Sequence, residues 1–111
     1  MDKELLQLRI ENALKHINFS IDQLENISIE EFENDSVLSR AISFSLVQIG
    51  EQLARLQEFL GKNHPEIEWS LAKSMRNFLV HDYIDVDLTR VYKTVKINLP
   101  PLKQQLEQLL D

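Results

Sequence analysis

Residues 35–61 read DSVLSRAISFSLVQIGEQLARLQEFLG, and the spacing of their apolar side chains decides the fold class. Leu38, Ala41, Ile42, Leu46, Ile49, Leu53, Leu56 and Leu60 recur at three- and four-residue steps. That is the period of one face of an α-helix and not the alternation of a strand. Asp35 stands where an N-cap satisfies the first free amides, and Gly61 where a helix can stop. Gly50 lies inside the pattern. Glycine costs about 1 kcal/mol relative to alanine in a helix interior, so its presence marks a close helix contact or a local bend.

The same period extends outward. Between Lys3 and Asn26, Leu6, Ile10, Ala13, Leu14, Ile17, Ile21 and Leu24 form one stripe, which predicts a long first helix. Ser28-Ile29-Glu30-Glu31 has the form of a capping box and predicts a short helical turn ending near Asn34. Downstream, Lys62-Asn63-His64-Pro65 reads as a loop. Trp69 to Val80 then runs without a breaker, with Leu71, Met75 and Phe78 on one stripe, predicting a third helix. Ile84-Asp85-Val86-Asp87 reads as a turn whose aspartates can cap a fourth, with Leu88, Val91, Tyr92, Val95 and Leu99 inside. Pro100-Pro101 is expected to interrupt it, after which Leu102, Leu106, Leu109 and Leu110 resume a helix. The expectation is a single all-α domain over 1–111, an up-and-down bundle of four to five helices.

Composition agrees. A chain of 111 residues, 43% hydrophobic and 27% charged, can bury one core and not two. It has no cysteine, which excludes disulfides, thiolate metal sites and a cysteine nucleophile. The charged start Met1-Asp2-Lys3-Glu4 and the lack of a long apolar run predict a cytoplasmic protein without membrane association. His16 and His64 are isolated from other ligands at metal-binding spacing, and no glycine-rich phosphate loop exists, so neither metal nor cofactor is expected. Single aromatics such as Trp69 and Tyr92 read as core and not as base-stacking platforms.

The net charge of −6 opposes broad nucleic-acid binding. Its distribution is uneven, however. Residues 1–72 carry 6 basic and 13 acidic side chains, whereas 73–103 hold Lys73, Arg76, Arg90, Lys93, Lys96 and Lys103 against Asp82, Asp85 and Asp87. Such a local basic surface suits contact with a few phosphates.

Arg76-Asn77-Phe78-Leu79-Val80-His81-Asp82-Tyr83 gathers four chemically able side chains around an apolar centre. On an ideal helix Asn77 and His81 lie about 40° apart and Arg76 and Tyr83 about 20°, but Arg76 and His81 about 140°. One straight helix does not bring them to a point. Either the helix ends near His81 and the tail turns back, or two copies meet across a symmetric dimer and share a site, which is the arrangement favoured here.

Arg-x4-His-x-Tyr at 76, 81 and 83 resembles the signature of HEPN-domain proteins, specifically the HepT-like branch. Glu31-Phe32, Ala41-Ile42, Gln48-Ile49-Gly50-Glu51, Pro65-Glu66-Ile67-Glu68-Trp69, Met75-Arg76-Asn77, His81-Asp82-Tyr83 and Leu99-Pro100-Pro101-Leu102 follow the order of that family. The resemblance thus covers about residues 30 to 102, and the ordered set carries it, since Arg-x4-His alone is weak. Ser74, where the family commonly has Gly, and Gln52, where a small residue is common, depart from it. Both departures bear on helix packing.

The resemblance implies metal-independent RNA cleavage by attack of the ribose 2′-hydroxyl on the adjacent phosphate. The residue types fit independently. His81 can exchange protons near neutral pH, Arg76 can hold the scissile phosphate in its planar fork, and Asn77 can orient either. Against these stand ordinary roles: a helix-end cap for His81, a surface cation for Arg76, a solvated amide for Asn77, a bundle-edge ring for Tyr83. The resemblance further implies that Tyr83 accepts AMP from a partner nucleotidyltransferase, the MntA-type antitoxin. The function so implied is an endoribonuclease toxin of a type VII toxin–antitoxin pair, acting as a homodimer or higher oligomer. Its rival is a non-catalytic helical module that binds such a nucleotidyltransferase.

Overall fold

The computed structural model describes residues 1–79 and 86–110. Helix α1 spans Lys3–Gln23, α2 Ile29–Glu33, α3 Ser36–Leu60, α4 Leu71–Arg76, α5 Leu88–Lys93 and α6 Leu99–Leu109. A 3₁₀ turn, Asn77–Leu79, extends α4, and a π-helical turn, Thr94–Asn98, joins α5 to α6. Among the described residues there is no strand, in agreement with the all-α bundle.

Helices α1, α2, α3 and α5 start on short-range side-chain caps, those expected at Ser28, Asp35 and Asp87 and a further one at Asp2. Asp2 accepts from the Leu5 amide at 2.9 Å, Asp35 from Leu38 at 2.9 Å and Asp87 from Arg90 at 3.1 Å. Ser28 and Glu31 exchange hydrogen bonds with each other's backbone amides at 3.0 and 3.1 Å, completing the capping box. Asn26 turns the chain after α1 with φ 61°, a left-handed conformation that asparagine tolerates better than most side chains. Gly61 ends α3 at φ −58°, so its left-handed freedom is not used.

α1 and α3 pack antiparallel along their length: Arg9 Nη1 donates to Gln52 Oε1 at 3.1 Å, and His16 Nδ1 lies 3.3 Å from Ser45 Oγ. Gln52 also donates to Asn12 Oδ1 at 3.1 Å, so the departure from a small residue there supplies an amide bridge between the two helices. α4 leans on α3 and α6 on α1. Ile17, Phe32, Ile42, Leu46, Ile49, Leu53, Leu56, Met75, Leu99 and Leu106 are fully buried in one core, which is the main favourable term in the fold. Trp69 is buried and donates to the His64 carbonyl at 2.9 Å. Tyr92 packs against Phe32 with ring centroids 5.7 Å apart and donates to the Ile27 carbonyl at 2.5 Å. Both aromatics are structural, as expected.

Two expectations need correction. The third helix does not run as α-helix from Trp69 to Val80: it begins at Leu71, ends at Arg76 and tightens to 3₁₀ from Asn77. Asparagine bonds readily to nearby backbone and favours helix ends over interiors, and 3₁₀ turns are common there. Nor do Pro100 and Pro101 interrupt the last rod. They sit in the first turn of α6, and the π-helical turn before them keeps the path continuous. A proline has no N–H to give the preceding turn and its ring collides with the carbonyl four residues back; the wider π turn relieves both demands.

Candidate active site

α4 positions the site. Leu71, Ala72 and Met75 are buried, which fixes the rotation of the helix and leaves Lys73 and Arg76 exposed on its last turn. Cations there also complement the partial negative charge of a helix C-terminus.

Gly50 sets how close α4 comes. A Cβ on Gly50 would stand 2.9 Å from the Ala72 carbonyl oxygen, the Arg76 nitrogen and Arg76 Cγ, nearer than real contacts allow. The glycine expected to mark a close contact therefore does so, and the contact is with the backbone beneath Arg76. Glu51, the next residue, reaches Arg76 Nε with Oε1 at 2.9 Å. Glu51, Lys73, Arg76 and Asn77 line an open groove of about 310 Å³.

Of the predicted site residues, Arg76 and Asn77 are thus brought together on one groove. His81 and Tyr83 lie outside the described residues. Because the α-helix ends at Arg76, angles projected from an ideal helix do not carry past Asn77.

Two neighbours escaped the sequence reading. Glu51 was visible only as a member of Ile49-Gly50-Glu51, and its pairing spans 25 residues of chain. Arg90 was visible only as part of a basic segment. Its Nη2 donates to Ser74 Oγ at 3.4 Å and its guanidinium lies 5.9 Å from the Phe78 ring centroid. The Ser74 departure thus provides an acceptor that glycine lacks. Lys73, Arg76, Arg90 and Lys93 are all exposed on α4 and α5.

A second hollow, about 450 Å³, lies where the start of α1 meets the ends of α3 and α6, with Lys3 and His64 at its rim over Leu6, Ile10 and Leu60. His64 there is paired with Glu66 at 3.2 Å. Among the described residues no three His, Asp or Glu side chains gather as metal ligands, and no helix is long and apolar enough to cross a membrane.

An all-helical bundle presenting an arginine and an asparagine in an open, net-basic groove is suited to engaging a phosphodiester, and comparison places it among ribonucleases. A sequence model of the family described as "Ribonuclease HepT-like" matches residues 9–109, and the chain belongs to that family. A candidate RNase of Caldanaerobacter subterraneus subsp. tengcongensis is 32% identical over 101 residues, covering 91% of this chain and 90% of the relative. "Probable ribonuclease HepT" of Thermococcus cleftensis is 32% identical over 100 residues, covering 90% and 91%. A candidate RNase of Methanocaldococcus jannaschii is 26% identical over 110 residues, covering 99% and 91%. No solved structure matches the chain.

Proposed function

We propose that this endoribonuclease is the toxin of a toxin–antitoxin pair, cutting RNA without metal through Arg76 and His81, with Asn77 in support. The observation that carries the reading is the exposed Arg76 guanidinium, engaged at Nε by Glu51 and sharing its groove with Lys73 and Asn77. A guanidinium binds a phosphate through two parallel N–H groups and opposes the charge that builds on its oxygens in the transition state.

In the reaction the ribose 2′-oxygen bonds to phosphorus and the bond from phosphorus to the 5′-oxygen breaks. A base removes the 2′-hydroxyl proton, an acid returns one to the leaving oxygen, and the products are a 2′,3′-cyclic phosphate and a 5′-hydroxyl end. Histidine suits either proton transfer near neutral pH. Two copies of His81, one from each protomer of a homodimer, supply both roles.

A surface stripe supports the dimer. Val37 and Phe44, seven residues apart on α3, are 79% and 53% exposed. Residues at that interval share a helix face, and seven more lead to Glu51. A second chain seated on this stripe with its α3 parallel to the first, about a two-fold axis along the helices, would bring two Arg76 groups toward one cleft. Tyr83, two residues beyond His81, is the proposed acceptor of AMP from an MntA-type nucleotidyltransferase, and an anionic nucleotide there excludes the substrate phosphate by charge and bulk.

The test is cleavage of total cellular RNA by the purified chain in EDTA, wild type beside Arg76→Ala and His81→Ala. Loss of cleavage in folded variants, with cyclic phosphate ends from the wild type, is the expected result. Absence of cleavage by unmodified wild type on any cellular RNA overturns the reading in favour of a nucleotidyltransferase-binding module.

A further inference from the structure

We propose that Glu51 is a positioning residue for Arg76, holding the guanidinium so that its two terminal amino groups face the substrate phosphate. The inference rests on the ribonuclease role of Arg76 proposed above and adds a residue to it.

Arg76 is held at two points along its length. Its stem lies over Gly50, where the missing side chain makes room for Cγ. Its Nε donates to Glu51 Oε1 at 2.9 Å. Arginine is long and loses much rotamer freedom on being ordered, so a free side chain at a helix end samples many directions. Contacts at Cγ and Nε restrict those directions in turn. A guanidinium has two edges that can meet an oxyanion, one made by Nε with a terminal nitrogen and one made by the two terminal nitrogens. Glu51 engages the first through Nε. Among the described residues no other hydrogen bond engages Arg76, which leaves the second as a parallel pair of donors on the groove lined also by Lys73 and Asn77.

The pair does not explain itself as a stabilising contact. The Arg76 and Glu51 side chains are 49% and 43% exposed, and ion pairs open to solvent contribute little to folding. It also carries an electrostatic cost, because a carboxylate beside the groove repels a phosphate. Lys73 offsets that charge on the same groove. A carboxylate kept next to a phosphate-binding cation, at some cost to affinity, is accounted for by what it does to the cation's direction.

The opposite role is equally specific: a carboxylate that merely occupied Arg76 would mask it, and its removal would raise activity. The two roles differ in sign. The test uses the full-length purified chain and a short oligoribonucleotide spanning a cut mapped in cellular RNA, with single-turnover kinetics of wild type, Glu51→Ala, Glu51→Gln and Arg76→Ala. Positioning predicts that Glu51→Ala lowers the cleavage rate at saturation by about tenfold while the concentration giving half-maximal rate shifts little. Glu51→Gln, whose amide oxygen still accepts from Nε, stays within about threefold of wild type. The pH profile keeps its shape in both.

A Glu51→Ala rate equal to or above wild type, with Arg76→Ala inactive, overturns positioning and makes Glu51 a bystander or a mask. Equal loss in Glu51→Ala and Glu51→Gln, with one limb of the pH profile gone, overturns it in favour of proton transfer by the carboxylate itself. Cleavage by Arg76→Ala at the wild-type rate removes the underlying role of Arg76 and the inference with it, an outcome distinct from the other two.

Discussion

A Cβ added to Gly50 meets the backbone nitrogen of Arg76 at 2.9 Å, so α3 and α4 touch through main chain directly beneath the candidate phosphate-binding side chain. A neighbouring side chain could swing away, but the Arg76 nitrogen and the Ala72 carbonyl oxygen, also at 2.9 Å, cannot. Gly50→Ala gains helix propensity and loses packing. The steric term wins, with a net destabilisation of about 2 kcal/mol. Urea unfolding checks it through the midpoint at unchanged slope. Cleavage activity falls further than that of a core variant of equal stability, because the displacement is centred on Arg76.

Tyr92 ties the last rod to the corner between α1 and α2. Its hydroxyl donates to the Ile27 carbonyl at 2.5 Å, and Lys96 Nζ donates to the Leu24 carbonyl at 2.6 Å. Tyr92→Phe keeps the ring against Phe32 and removes one donor, leaving that carbonyl without this partner. A loss of about 1 kcal/mol is expected in thermal or urea unfolding, with cleavage activity unchanged.

His16 couples folding to pH. Burial, with Lys15 as a lesser cause, holds its pKa below the ordinary value of 6.5. The unfolded chain therefore binds this proton more readily than the folded one. The stability tied to neutral His16 is fully present above pH 6.5 and declines as pH falls through 6.5 toward the lower folded value. His16→Gln is expected to flatten that part of the stability profile, read as urea midpoints across the same range. An unchanged slope in the variant would show that other groups set it.

Phe44 tests the dimer. It stands 53% exposed on the stripe with Val37, outside the core, so Phe44→Glu is expected to leave the helical content of each chain intact. Light scattering should find the wild type as a dimer and the variant as a monomer, since a buried unpaired carboxylate opposes association. A variant that remains dimeric would place the interface elsewhere.

Much of the architecture is legible in the sequence. Asp35, the capping box of Ser28 and Glu31, and the cap at Asp87 act between residues three apart, and the stripes of α1 and α3 repeat every turn. Interactions of that range are written in sequence order. Where α4 gives way to 3₁₀ at Asn77 and where the π turn precedes Pro100 were not legible, because α, 3₁₀ and π turns are alternatives open to the same short stretch and neighbouring packing selects among them.

At the site the division is the same. The sequence by itself determined the helical class, marked Gly50 as a close contact or a bend, and supplied the candidates Arg76 and Asn77, because periodicity and residue chemistry are local. Only the tertiary structure decided that Glu51 meets Arg76, that Arg90 crosses to Ser74 and that Gln52 bridges α1 to α3. Those pairs are separated by 25, 16 and at least 40 residues, and their meeting depends on how buried faces set the rotation of each helix. The sequence encodes that rotation only through the packing of the whole core.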